Sequence, residues 1–475
     1  MMFTITVCFF ISIFYSLLVL FCARQTGLAK HPAAENRLAA SQRPRLMPPH
    51  AACSRIKCDF FSCPAYWLEA GIFGLSVYLN LLLGILTADG DSAYFVHVIA
   101  HFIESDVPFA GIYANGGITY PPLFQYLYYV LAQIIRLLHI PVDTTCEAFI
   151  LTVKLPGIFC EFLMAWLLYR TAAKNFKRRQ KVPVLLLTLL NPAYLFVTAY
   201  ICQIDALYVC LLFITVLLIC ENRLKLSYAA FAAAVLCKYQ AIFITPVVLF
   251  ATFRHVCLDG FSWKKFWTHA AAGFSAIFCM FLSYLPFVWN ISAGCFYNGG
   301  LTGNFTRSIQ SYGWASQNTY NFWNLFGYNF RSEELFFGPL RCVDWGTLFI
   351  ALLVLLSAVH FWQHKNDRSA APLIGSVLVS GTVCFATRMM PRYLYAAVPL
   401  LILGFVQKPT RKRLLCAVGF SVLFFLLTVF DYVVYPVFAY TPKLVLPKLL
   451  SVLFLGGFVY LNGVLFCEKR SGRRC

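Results

Sequence analysis

Apolar runs long enough to cross a hydrocarbon core recur along almost the whole chain, the first at residues 3–22 and the last at about 446–466. No other feature constrains the fold as much. A core about 30 Å thick takes about 20 helical residues, and backbone groups in lipid must find partners inside the protein, so spans of this length are helices rather than barrel strands. The chain is 60% hydrophobic and 12% charged, whereas about a quarter of residues in soluble domains are charged. The expected fold is an all-α polytopic membrane protein with about 11–13 transmembrane helices.

Lys and Arg outnumber Asp and Glu by 38 to 19, for a formal net charge of +19. The basic residues sit in short clusters between apolar runs, which is the positive-inside distribution and speaks against nucleic acid as a partner. The 19 cysteines are scattered, many within apolar runs (Cys160, Cys202, Cys210, Cys237, Cys279), and outline no disulfide framework. Cys53, Cys58 and Cys63 form the one local cluster, with gaps wider than those of the usual zinc pair.

Residues 1–66 read as a signal anchor followed by a basic, poorly ordered cytoplasmic segment, because 23–66 carries seven Lys or Arg against two acids. The stretch 67–467 reads as one transmembrane catalytic domain, and 468–475 as a basic cytoplasmic tail. The helix at 67–86 then runs outward into a first outer loop, 88–147, which holds six acids and a single basic residue, Arg136. Within it, 121–138 is apolar enough for a span. Parity opposes that, because the next apolar stretch ends in Lys174, Lys177, Arg178, Arg179 and Lys181, so 121–138 is expected to lie on the outer face with Pro121 and Pro122 opening its first turn. The segment 226–252 starts and ends inside yet is too short for two full crossings, which predicts broken helices meeting near Lys238 and Gln240. A second long outer loop, 291–345, is rich in Asn and aromatic residues and reads as a structured cap.

Four features carry possible chemistry on the outer side. Asp89 and Asp91 stand in the acidic first loop, as candidate bases or simply as solvated residues. Asp205 and Lys238 sit in apolar sequence, where a charge at the bilayer centre costs about 2.5–3.5 kcal/mol and usually lines a cavity, although a structural hydrogen bond to Gln203, or snorkelling by the lysine, also accounts for them. Arg388 and Arg392 are four residues apart at a helix start, so both can face one ligand or serve as interfacial anchors. An outer carboxylate facing outer guanidinium groups suits group transfer from a lipid phosphate. The carboxylate acts as base on an acceptor hydroxyl, and Arg forks the phosphate oxygens of a leaving group that needs no proton. If the group is a sugar, a single base without an enzyme nucleophile implies inversion.

The order of motifs resembles the GT-C superfamily of integral-membrane glycosyltransferases that use polyprenyl-phosphate sugars. Gly90-Asp91 with Tyr120-Pro121-Pro122-Leu123 is similar to the first-loop Asp and YPPL elements of the dolichyl-phosphate-glucose glucosyltransferases and their bacterial relatives, and Asp89-Gly90-Asp91 is similar to the DxD of GPI mannosyltransferases. Asn191-Pro192-Ala193 with Gln203-Ile204-Asp205 resembles the NP…xQxD helix pair, and Lys238-Tyr239-Gln240 with Pro246 the KxQ…P element. Asn318 to Trp323 resembles the outer-loop NxxNxW stretch. Arg388 to Leu394 resembles the "MHERYL"-like segment, with Met390-Pro391 in place of His-Glu, which moves weight onto Arg388 and Arg392.

The resemblance spans 67 to about 405 and implies a mannosyl- or glucosyltransferase with a polyprenyl-phosphate-linked donor and a lipid-linked glycan acceptor. It implies Asp91 as base, with Asp89 as alternative base or ligand, and Arg392, Arg388 and Lys238 on the donor phosphate. Asp205, Gln203, Tyr120, Asn321 and Trp323, with Tyr320 as alternative platform, would touch sugar or acceptor. A two-Asp loop is open to Mg2+, to Mn2+ or to no metal. The site would face the lumen of the endoplasmic reticulum or the outside of a bacterial plasma membrane. A lipid-linked oligosaccharide flippase or other transporter is the alternative, since intramembrane Asp205 and Lys238 suit a substrate path equally. A transporter would be expected to show repeated halves, and the sequence has none.

Overall fold

A computed structural model describes residues 2–27, 64–86, 90–105, 108–109, 112–113, 120–290, 295–296, 303, 305–308, 312–438 and 445–471. Among these the protein is all-helical apart from two short antiparallel hairpins, Trp289–Asn290 with Cys295–Phe296 and Phe336–Phe337 with Leu340–Arg341. Among the described residues ten helices are long and apolar enough to cross a membrane, and two shorter apolar ones, Asp205–Cys220 and Leu224–Cys237, pack against each other. This is a multi-pass membrane protein. The basic segment 28–63, with Cys53, Cys58 and Cys63, lies outside the described residues.

Basic turns gather at one end of the bundle. Lys174 pairs with Glu221 at 2.8 Å, Arg178 with Glu69 at 2.9 Å, and Asn175 donates to the carbonyl of Val406 at 3.1 Å. Arg413, almost fully buried, makes a two-point pair with Glu468 and donates to the carbonyls of Ser369 and Gly404 at 3.0 and 2.8 Å. One guanidinium thus ties three of these turns together.

At the opposite end the helices break. Leu195–Tyr200 and Phe430–Val434 are π-helical, while Tyr239–Ile244 and Pro391–Ala396 are 3₁₀. Lys238 is fully extended (φ −159°, ψ 132°) between Leu224–Cys237 and the 3₁₀ turn, with Pro246 opening Thr245–Phe253, so the segment 226–252 is broken where its length requires.

The described part of segment 88–147 is largely helical. Gly90–Glu104 is a helix because Phe95, Val98, Ile99 and Phe102 recur at helical spacing and are all buried, so Asp91 stands in a helical first turn rather than in a loop. Pro122–Leu137 is a 16-residue helix that buries Phe124, Gln125, Tyr128, Leu131 and Ile135 on one side and exposes Val130, Ile134 and Leu137 on the other. These two helices, with the neighbouring ends of Glu147–Ala172 and Trp263–Val288, form an apolar cluster distinct from the large core.

Residues 312–341 form a cap. It has a small core of fully buried Trp323 and Ala315 packed on Cys342 at the start of the next helix, and Asn321 caps Phe322–Leu325 and donates to the carbonyl of Val383 at 3.2 Å.

Replacing Arg413 by Met is expected to take the two-point pair from Glu468, which the contact with partly exposed Lys408 at 3.5 Å does not replace. The cost of breaking a buried pair is about 3–5 kcal/mol, read as a large fall in the unfolding midpoint of the solubilised protein. An unchanged midpoint would show that the turns hold together without it.

Candidate functional site

The helix breaks surround a cleft. Tyr94 and Phe95 of the Gly90–Glu104 helix line it together with Tyr120 and Pro121. Facing them are Gln203 and Ile204 from the turn after the π-helix, Lys238, Tyr239 and Gln240 at the second break, and Arg392 and Tyr393 at the third. Cys202, at φ 58°, turns the chain so that Gln203 points into the cleft while Asp205 starts the next helix.

Two cations and one carboxylate carry the charge. The ammonium of Lys238 pairs with Asp205 Oδ1, and Asp205 is fully buried, with no hydrogen-bond partner for Oδ2 among the described residues. The same ammonium lies 5.2–5.8 Å from the ring centroids of Tyr393, Tyr208 and Tyr120, which offer their electron-rich faces. Arg392, 9% exposed, donates from Nη1 to Gln203 Oε1 at 2.7 Å and to the Tyr432 hydroxyl at 3.2 Å; Gln203 Nε2 donates to the same hydroxyl at 3.2 Å. With Asp205 offsetting Lys238, the described side chains leave a net charge of about +1 at the cleft, carried by groups that are themselves largely buried, which suits one anionic group.

The expected site residues separate into two sets. Gln203, Asp205, Lys238, Arg392 and Tyr120 come together at the cleft. Arg388 does not: at φ 62° it turns away, and its guanidinium forks Glu333, donating from Nε at 2.7 and 2.9 Å, with Thr387 adding a hydrogen bond to Glu333 at 2.8 Å. Trp323 and Asn321 do not either. Trp323 is fully buried and donates from Nε1 to the carbonyl of Phe385 at 2.9 Å, and Asn321 caps Phe322–Leu325 and donates to the carbonyl of Val383 at 3.2 Å, so both anchor the cap to Ala371–Phe385. Tyr320 is likewise buried. Asp91 precedes the cleft-lining Tyr94 and Phe95 by three and four residues, one turn earlier in the same helix; its side chain, and Asp89 altogether, lie outside the described residues. Among the described residues no three His, Cys, Asp or Glu side chains group to hold a metal.

Three polar groups escaped the sequence reading. Lys154 is buried and donates to the carbonyls of Gly84 and Ala199 at 3.1 and 2.8 Å, joining the helix end that leads toward Asp89 to the π-helix before Gln203. Glu161 accepts from the hydroxyls of Thr198 and Tyr395, behind the segments that carry Gln203 and Arg392. Asp431 accepts from Asn318 Nδ2 at 2.9 Å beside Tyr432. The signal was available, a charge inside an apolar span, the criterion that singled out Asp205 and Lys238.

No family model matches the chain, and no curated protein matches it.

Lys238→Met alone is expected to strand buried Asp205 and cost about 3–5 kcal/mol, whereas Lys238→Met combined with Asp205→Asn recovers much of that loss. Thermal unfolding of the two variants in detergent checks this. A double variant no more stable than the single would deny the pair its structural part.

Proposed function

We propose that the protein is a glycosyltransferase of the GT-C type that moves a hexose, mannose or glucose, from a polyprenyl-phosphate carrier to a hydroxyl of a lipid-linked glycan, with inversion. The observation that carries this reading is the meeting in one cleft of Lys238 and Arg392 with Tyr120-Pro121 and the Gly90–Glu104 helix, at the end of the bundle away from its basic turns. By the positive-inside rule that end belongs to the non-cytosolic face, in the endoplasmic reticulum or a bacterial plasma membrane.

A carrier phosphate esterified to both a sugar and a polyprenol bears one negative charge, which matches the net charge of the described lining. In this scheme Arg392 and Lys238 hold the phosphate oxygens, and Tyr120 and Tyr94 offer faces to the sugar. Asp91 takes the proton of the acceptor hydroxyl as that oxygen bonds to the anomeric carbon. The bond from that carbon to the phosphate oxygen breaks on the opposite side, and the charge passes to the polyprenyl phosphate, whose two cations make a general acid unnecessary. Gln203 holds Arg392 in place through the 2.7 Å contact. Arg388 ties the cap through Glu333, and Trp323 and Asn321 build it; none of the three is given a ligand. Where the acidic first loop binds a divalent ion, Asp89 and Asp91 are the carboxylates that would take it.

Purified protein in liposomes, given labelled polyprenyl-phosphate-mannose or polyprenyl-phosphate-glucose and lipid-linked glycan acceptors, is expected to form a new glycosidic bond from one donor. Asp91→Asn should slow this by about 10²–10⁴-fold, and Arg392→Met by about 10²–10³-fold. Near-normal transfer by Asp91→Asn would move the base role elsewhere. Passage of the lipid-linked glycan across the bilayer with no new bond would replace the enzyme by a flippase.

A further inference from the structure

A second hollow lies at the basic end of the bundle, between Glu147–Ala172 and Asp205–Cys220. Its floor is aliphatic: Leu163 and Leu167 from the first helix meet Ile214, Leu217 and Leu218 from the second. Leu163, Leu167 and Arg170 follow at intervals of four and three residues, so they form one stripe along the face of Glu147–Ala172, with Lys174 in the turn just past its end. At a rise of about 1.5 Å per residue, the stripe runs roughly 10 Å from Leu163 to Arg170.

The rim carries Arg170, Lys174 and Arg223 against a single carboxylate, Glu221, which pairs with Lys174 at 2.8 Å. Arg170 lies over the Trp166 ring at 5.6 Å, and neither it nor Arg223 has a carboxylate within ion-pair distance among the described residues. All four rim residues are exposed, whereas the aliphatic ones are partly buried or buried. An apolar channel that opens at its basic end onto two arginines without acid partners has the charge order of an acyl chain below a phosphate.

We infer that this groove binds an anionic glycerophospholipid of the leaflet at the basic end, with an acyl chain along Leu163, Leu167 and Ile214 and the headgroup phosphate between Arg170 and Arg223. The excess of two positive charges favours an anionic headgroup over a zwitterionic one, and the place of the basic turns at the hydrocarbon boundary favours a lipid over a soluble anion. The site is separate from the cleft of Lys238 and Arg392, which lies at the other end, so it does not depend on the reading given there.

The test uses the whole protein in nanodiscs of phosphatidylcholine containing phosphatidylserine, with lipids retained after detergent extraction measured by native mass spectrometry. Arg170→Gln/Lys174→Gln/Arg223→Gln is expected to lower phosphatidylserine retention by about 25-fold or more, since each of the two arginines without an acid partner contributes on the order of fivefold. A control of equal charge, Arg179→Gln/Arg411→Gln/Lys412→Gln, is expected to retain it. Ile214→Trp, which keeps every charge and fills the floor, should also reduce retention, and so distinguishes a groove from a charged surface. Equal loss in the control, or undiminished retention in both groove variants, would overturn the proposal. So would a change of oligomeric state in the groove variants with lipid retention intact, which would make this face an interface between copies.

Discussion

The pairing of Lys238 with Asp205 is the contact on which the cleft depends. A fully buried carboxylate is tolerable in the bundle only beside a cation, and Lys238 reaches it because the chain leaves the helix at that residue. The extended backbone there is one of several departures from α-helix that meet at this level, together with the π-turns before Gln203 and around Tyr432 and the 3₁₀ turn that carries Arg392. Irregular backbone at membrane depth is sustained only where it is enclosed by protein or borders a polar cavity, and here the cavity and the breaks account for each other.

Behind the cleft, a layer of polar contacts fixes those breaks. Glu161 joins Thr198 to Tyr395, so the segments bearing Gln203 and Arg392 are tied at their backs as well as through their own side chains. Gly157 lets the same helix come close to the π-turn, since a Cβ there would stand 2.9 Å from Thr198 Cγ2. Lys154 performs the equivalent task one turn earlier on the helix, through carbonyl groups.

Much of the bundle was legible in the sequence because hydrocarbon is a strict solvent: run length and basic clusters locate the helices, and an ionisable residue inside a run marks a polar lining. That reasoning gathered Asp205, Lys238 and Gln203, and parity brought Arg392 to the same end. It failed where the question was which way a side chain faces. Arg388 and Arg392 stand four apart, which on a regular helix would align them, but the positive φ at Arg388 and the 3₁₀ turn from Pro391 send them to Glu333 and to Gln203 respectively. The Asn and Trp residues of 318–324 looked equally suited to a ligand and to a self-contained cap. A sequence pattern records their polarity without their partners, and the partners of Asn321 and Trp323, the carbonyls of Val383 and Phe385, are backbone groups that leave no trace in the sequence.

The cap is fastened to the same body that carries the cleft's cations, through Glu333 on Arg388, Thr319 on the carbonyl of Met389 and Trp323 on that of Phe385. The aromatic wall of Tyr94, Phe95 and Tyr120 belongs to the smaller apolar cluster, which also takes in Cys202, Ile204 and Leu236 beside the cleft. Because the roof is pinned to the main body by a buried ion pair and by hydrogen bonds, displacing it would separate charges in a low-dielectric setting, so roof and cations behave as one piece.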